Sequence, residues 1–344
     1  MAATQSLEEA SEFISENSEE ISKVVNGITG DSKDFKQAFS SINSILEDVN
    51  DNASTTYEEE KHTIKVGQEA EKNPSRESVK TLGAEHEREV AEVKSEEDEL
   101  GQALKKIEGS EQLLEGDLEH LHECMDHTDD ILRELNTLIE SVNQQGLNAE
   151  KLEQLSKWVE LAGGAIRLEA KAHDFIVSEV ESLVKLNQEA LVDMEEIETN
   201  IEGVERENQE EKELAQETGN KNLAQKEKKN EEKVGKEEDE FRKEEKVEKD
   251  ILKELETELD ELKEELSHAE DEMNNLENEI QALRSASQSM RQRMSGKISS
   301  EINQNFEDAE RELQQASNII NNLEGEYSKV KDMVGKEESE LTSL

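Results

Sequence analysis

The chain has 344 residues, 32% hydrophobic, 3% aromatic and 38% charged, and its 89 acidic against 40 basic side chains leave a formal charge of −49. Ordinary domains carry about 45–50% apolar residues, so one large compact core is excluded, whereas long helices that turn about two or three positions in seven toward a partner need no more than is present. The charge argues against nucleic acid and anionic membrane surfaces as partners and favours basic proteins or cations, although a saline cytoplasm also selects such surfaces.

The first expected element covers residues 1–72. Leu7, Ile14, Ile21, Ile28, Phe35, Ile42 and Val49 recur every seventh residue, with a second row three residues on at Ala10, Val24, Ala38 and Ile45, broken by Asn17 and Asp31. Such spacing makes an apolar seam along a helix. In pattern it resembles the cytoplasmic coils of chemoreceptors, but no hairpin-tip motif accompanies it and no family follows. Gly27 and Gly30 weaken the helix locally. Lys72-Asn73-Pro74-Ser75, which includes the single proline, predicts a turn with an asparagine cap and proline in the first helical position.

The second element covers 73–146. Its rows are Leu104, Leu118, Met125, Leu132 and Ile139, and Leu100, Ile107, Leu114, Leu121, Leu135 and Val142 with Thr128 in line. Gln145-Gly146 followed by Asn148 predicts a glycine stop and an N-cap, a tight turn between antiparallel helices. The third element, 147–217, is the most apolar. Leu155, Ala162, Ile176, Leu183, Ala190, Ile197 and Val204 form one row, broken at Glu169. Val159, Ile166, Val180, Met194 and Ile201 form the other, broken at His173 and Asn187. Gly163-Gly164 permits a close helix approach or a small bend.

Residues 218–250 are nearly all Glu, Lys, Asn and Gln and are expected to be a highly charged connector or stalk beyond the bundle, its helical parts held by Glu–Lys pairs. Over 251–344 the seam resumes at Leu252, Leu259, Leu266, Met273 and Ile280, with Leu255, Leu262, Ala269, Leu276 and Leu283. After a phase slip near Ser295-Gly296, where a bend near 296 is expected, it continues through Ile302, Ala309, Ala316, Leu323 and Val330, with Phe306, Leu313, Ile320, Tyr327 and Val334. The predicted fold class is all-α: an elongated antiparallel coiled-coil or helical bundle of about four long helices. A homo-oligomer, a dimer first, is expected because a thin bundle leaves seams open.

Glu119-His120-Leu121-His122-Glu123-Cys124-Met125-Asp126-His127 is the one local constellation with chemistry. His120, Cys124 and His127 stand at i, i+4 and i+7, within about 60° of one another around a helix. Imidazole and thiolate suit zinc; Glu123 or Asp130 can add oxygen, and His173 from another helix can complete the set. The plainer reading makes all three surface or seam-edge residues, because ligands from one helix face alone form an incomplete site. His173 itself reads as a satisfied core histidine, or as a group that titrates near neutral pH. Asn17 and Asn187 read as register-setting seam residues.

No GxGxxG, GxxxxGK[ST] or GxSxG motif occurs, and solvated carboxylates lack the pocket that general acid catalysis needs. No enzymatic role is expected. Cys124 is the only cysteine, and MAATQSLEEASEF carries neither a basic nor an apolar leader region, which predicts a reducing, cytoplasmic location. No run reaches the roughly 18 apolar residues of a membrane span; the best one, Trp158 to Val180, is broken by Glu160, Arg167, Glu169, Lys171 and Asp174. The expected function is therefore a non-enzymatic structural or scaffolding coiled coil, acting through self-association or contacts with other proteins. A membrane-associated or pore-forming helical bundle and a metal-binding bundle are the alternatives.

Overall fold

A computed structural model describes residues 2–72, 76–219, 221–291 and 296–341. They form five helices and, among the described residues, no strand: α1 (Ala2–Lys72), α2 (Arg76–Gln145), α3 (Ala149–Thr218), α4 (Lys221–Met290) and α5 (Gly296–Leu341). The protein is all-α. No described helix is long and apolar enough to cross a membrane.

Local chemistry sets the breaks. Gly146 adopts φ 86°, a left-handed backbone that costs glycine nothing, and its N–H donates to the Val142 carbonyl at 2.8 Å. Asn148 then caps α3, its side-chain oxygen accepting from the Lys151 N–H at 2.8 Å. Gly219, φ 62°, follows α3 in the same way. The expected turn over Asn73-Pro74-Ser75 lies outside the described residues, as do Ser295 and the side chains of Leu7, Ala10 and Ile14.

The helices pack as two compact units. The first comprises Met1–Phe35, Gln112–Glu181 and Glu256–Asp332; the second comprises Lys36–Glu111, Ser182–Leu255 and Met333–Leu344. In the first unit Asn305 donates to Ser156, Arg167 pairs with Glu312 and Lys329 with Glu181, so α3 and α5 run in the same direction. Asp260 meets Lys331 at 2.6 Å and Arg284 meets Glu310 at 2.5 Å, which sets α4 antiparallel to α5. In the second unit Lys106 reaches Ser41, Asn52 reaches Glu99 and Thr63 reaches Glu89, an antiparallel pairing of α1 with α2. In both units α3 is enclosed on several sides. Trp158, Val159, Ala162, Ile166, Ala170 and Ile176 are buried in the first, and Leu183, Val184, Leu186, Ala190, Met194 and Ile197 in the second.

Gly163 shows why a glycine stands in a seam. A Cβ there would sit 3.1 Å from the Ala309 carbonyl oxygen and 3.5 Å from its Cα. The small side chain lets the α3 and α5 backbones approach closely.

Three seams differ from expectation. In α2 Met125, Leu132 and Ile139 of the first expected row are half-exposed, and Asp117, Cys124 and Ile131 are buried one position earlier. In α1 the first row is buried at Ile21, Ile28, Phe35, Ile42 and Val49, but the second buried row is Val25, Ser32, Leu46 and Ala53. Val24, Ala38 and Ile45 sit at its half-exposed edge. Adjacent apolar pairs at 24–25, 38–39 and 45–46 allow either face, and packing selects the later one. Residues 221–250, expected as a projecting stalk or loop, are instead the opening half of α4, with Leu223, Val234 and Phe241 buried. Leu223 joins Leu82, Leu214 and Ala215 in one apolar cluster of the second unit. Residues 221–250 thus lengthen the expected C-terminal helix into α4, and the break expected near 296 falls between α4 and α5, which makes five described helices against about four expected.

Candidate functional site

The feature that sets this interior apart is carboxylate. Glu89, Glu96, Glu97, Asp117, Glu169, Glu179, Asp193, Glu248, Glu265 and Glu272 are all buried. A buried charge is costly unless it is paired or hydrogen-bonded, and otherwise a carboxyl tends to hold its proton. Some are satisfied: the Thr56 hydroxyl donates to Glu96, as does Asn200 at 3.2 Å, and Thr63 donates to Glu89. Others are not. Burial pushes Glu248 up to about 8, with the Glu337 carboxylate adding to the rise. Asp193 rises to about 7 and Glu244 to about 7, each mainly through loss of water.

Three groups of His, Asp and Glu ligand atoms lie within 4.8 Å of one another among the described residues: Asp31, Asp117 and His120; Asp129, His268 and Glu272; and Glu97, Glu237 and Glu240. The last, in the second unit, has a cation beside it, with the Lys94 ammonium 3.5 Å from Glu237 and 3.8 Å from Glu240. In the first group His120 Nδ1 lies 3.7 Å from Asp117. Burial and then the Asp31 charge raise Asp117, a hydrogen bond with Glu179 eases it, and Glu179 is itself raised by burial and by Asp117.

The second group is the densest. Asp129 comes from α2, and His268 and Glu272 lie one turn apart on α4, with His268 Nδ1 3.7 Å from Glu272. Glu169 of α3, 0% exposed, stands within electrostatic reach of both Glu272 and Asp129. Neither oxygen of Glu169 or Glu272 makes a hydrogen bond of good geometry. Burial first, then this mutual repulsion, raises Glu272 far above the usual carboxylate range, while the Thr128 hydroxyl eases Glu169. A groove of about 650 Å³ opens onto the group, lined by Asp129, Arg133, His268, Glu272, Asn275 and Leu276.

Of the residues predicted to hold zinc, His120, Cys124 and His127, no two fall in one ligand group among the described residues. Positions i and i+7 share a face but are separated by about 10 Å along the axis, too far for one ion to touch both. His120 turns to Asp117. His127 Nδ1 meets the Asn17 side chain at 2.7 Å. Cys124 is 0% exposed, in the buried row Ser110, Asp117, Cys124, Ile131, and burial first and the Glu169 and Glu272 charges next push its thiol up, away from the thiolate. His173, the imagined fourth ligand, is buried with neither ring nitrogen hydrogen-bonded, so it is a core histidine but not a satisfied one. Burial lowers it to about 4 and holds it neutral.

The residues that sequence reasoning missed are Asp129, Glu169, His268 and Glu272. The signal was present in part: His268 and Glu272 stand at i and i+4, on one face of a helix, and Glu169 interrupts an apolar row.

No family model and no curated protein sequence matches the chain. Among solved structures the chain is similar to a crystal structure of the de novo designed helical repeat protein DHR64, at 15% identity and TM-score 0.15, over 57% of this chain and 98% of that one. It is also similar to the DHF58 filament, at 17% identity and TM-score 0.16, over 66% and 99%. A computationally designed self-assembling cyclic homo-oligomer gives 13% identity and TM-score 0.13, over 73% and 97%. At such TM-scores the likeness goes no further than long packed helices.

Proposed function

We propose that the protein is a non-enzymatic scaffold that acts through self-association or contacts with other proteins in the cytoplasm. The observation that carries this reading is the division of the side chains. The apolar seams are spent inside the two units, and the outer positions are dense in Glu, Asp and Lys. Among the described residues the large apolar side chains left exposed are Tyr57, Leu113 and Val192. A surface of this kind recognises partners by charge, which favours basic proteins and suppresses nonspecific clumping. A homodimer remains part of the proposal; with the seams closed within one chain, its contacts would run through charged faces rather than a shared apolar seam.

The test is light scattering after size exclusion, at low and high salt, with and without anionic vesicles. The expected result is one defined mass that vesicles do not change and any association of which weakens as salt rises. Co-sedimentation with vesicles, or leakage of their contents, would overturn the reading in favour of a membrane-active bundle.

A further inference from the structure

Independently of the scaffold reading, the interior of the first unit holds a set of groups that is incomplete as it stands. Asp129, Glu169 and Glu272 are three carboxyls gathered from three helices, and the two most buried of them make no hydrogen bond of good geometry: Thr128 only eases Glu169, and the other neighbour of Glu272 is Asp129, a second carboxyl. No lysine or arginine ion pair is made by any of the three among the described residues, and the basic group grouped with Asp129 and Glu272 is the His268 imidazole, 3.7 Å from Glu272. Packing that brings such groups together in low dielectric leaves a site whose missing component is positive charge.

We propose that Asp129, His268 and Glu272, backed by Glu169, bind a single divalent transition-metal ion that ties α2, α3 and α4 together. The ligand atoms of the first three lie within 4.8 Å of one another, a spread that one ion at ordinary metal–ligand lengths spans with small side-chain adjustments. Imidazole nitrogen with carboxylate oxygens selects zinc, manganese or iron(II) over magnesium or calcium, which prefer oxygen alone. Glu169 supplies either a fourth ligand or the neutralising charge beside the ion. The groove along α2 and α4 gives the ion its path: the His268 side chain is 47% exposed at the rim, whereas Glu272 lies beneath.

The test uses the full chain stripped with chelator and titrated with Zn²⁺ by calorimetry, in excess Mg²⁺ to occupy exposed carboxylates. Wild type, Glu272→Gln, His268→Ala and Asp117→Asn are compared, and Tm is read with and without Zn²⁺. The expected result is one saturable site in wild type, weakened more than about tenfold by Glu272→Gln and by His268→Ala and retained in Asp117→Asn. Without metal, Glu272→Gln melts no lower than wild type, since a neutral amide of the same shape replaces a buried carboxyl; with Zn²⁺, wild type gains Tm and the variant does not. His268→Ala alters a rim residue and guards against misfolding as an explanation. Absence of saturable binding in wild type, binding as tight as wild type in Glu272→Gln and His268→Ala, or loss confined to Asp117→Asn would overturn the proposal.

Discussion

α5 and the opening half of α4 follow the same spacing and fill it differently. In α5 the buried row runs Ile302, Phe306, Ala309, Leu313, Ala316, Ile320, Leu323, Tyr327, Val330 and Val334 without a polar interruption, and meets its first buried carboxyl only at Glu337, before Leu341. In α4 the corresponding row runs Leu223, Glu227, Asn230, Val234, Glu237, Phe241, Glu244, Glu248, Ile251 and Leu255. The steps of four and three residues are the same, but half of the α4 positions carry a carboxyl or an amide. Position in the repeat decides which residues go inside, and residue type decides how stable the result is and how it responds to pH. Each carboxyl taken inside replaces about 1.5–3 kcal/mol of apolar burial with a desolvation cost.

The comparison can be broken first in α5. Phe306→Ala should destabilise the protein by about 3–5 kcal/mol, because a fully buried aromatic leaves a cavity in a continuous seam; denaturant unfolding measures it, and a loss near zero would mean that the α5 seam is not a core. The opposite change sharpens it. Glu248→Leu should stabilise by about 1–4 kcal/mol at alkaline pH, where the buried carboxyl must otherwise ionise. That gain should shrink as pH falls below about 8 and vanish below the ordinary carboxyl value, where Glu248 is protonated folded and unfolded alike. A pH-independent gain would assign the effect to packing alone. A smaller effect tests the close contact that permits the α5 seam: Gly163→Leu should cost about 1–3 kcal/mol by forcing apart the α3 and Ala309 backbones. Smallest is Asn148→Ala, which removes the α3 cap for about 1 kcal/mol in the same assay.

The same contrast explains what could be read beforehand. The α5 seam was legible residue by residue from Ile302 to Val334 because every position there is apolar; the reading ended where Glu337 enters the row. The α2–α3 turn was legible from Gly146 and Asn148, whose backbone and cap chemistry are local. The opening of α4 was not, since a search for aliphatic repeats sees only Leu223, Val234 and Phe241 and passes over the glutamates between them. In α1 the pattern left two faces open, and only packing chose Val25 and Leu46 over Val24 and Ile45. The site was harder. Cys124 and two histidines share one helix face, but an axial span of about 10 Å separates the outer pair. Asp129 meets His268 and Glu272 only once α2 and α4 pack side by side in the first unit, and no local spacing encodes that meeting.

The most direct test of the central claim, that carboxyls occupy seam positions inside the bundle, is thermal unfolding followed by far-ultraviolet circular dichroism across pH. Groups such as Glu248, Asp193 and Glu244 are raised from ordinary values of 4.5, 3.8 and 4.5 to about 8, 7 and 7, so each favours the fold fully below its ordinary value and loses that contribution as pH rises through the raised one. His173, lowered from 6.5 to about 4, acts oppositely, favouring the fold above its ordinary value and losing that as pH falls, but it is one group against many. The helical signal should therefore melt at a higher temperature near about pH 5.5 than near about pH 8.5. A melting temperature that stays level, or that falls on acidification over that range, would place these carboxyls in water and contradict the account.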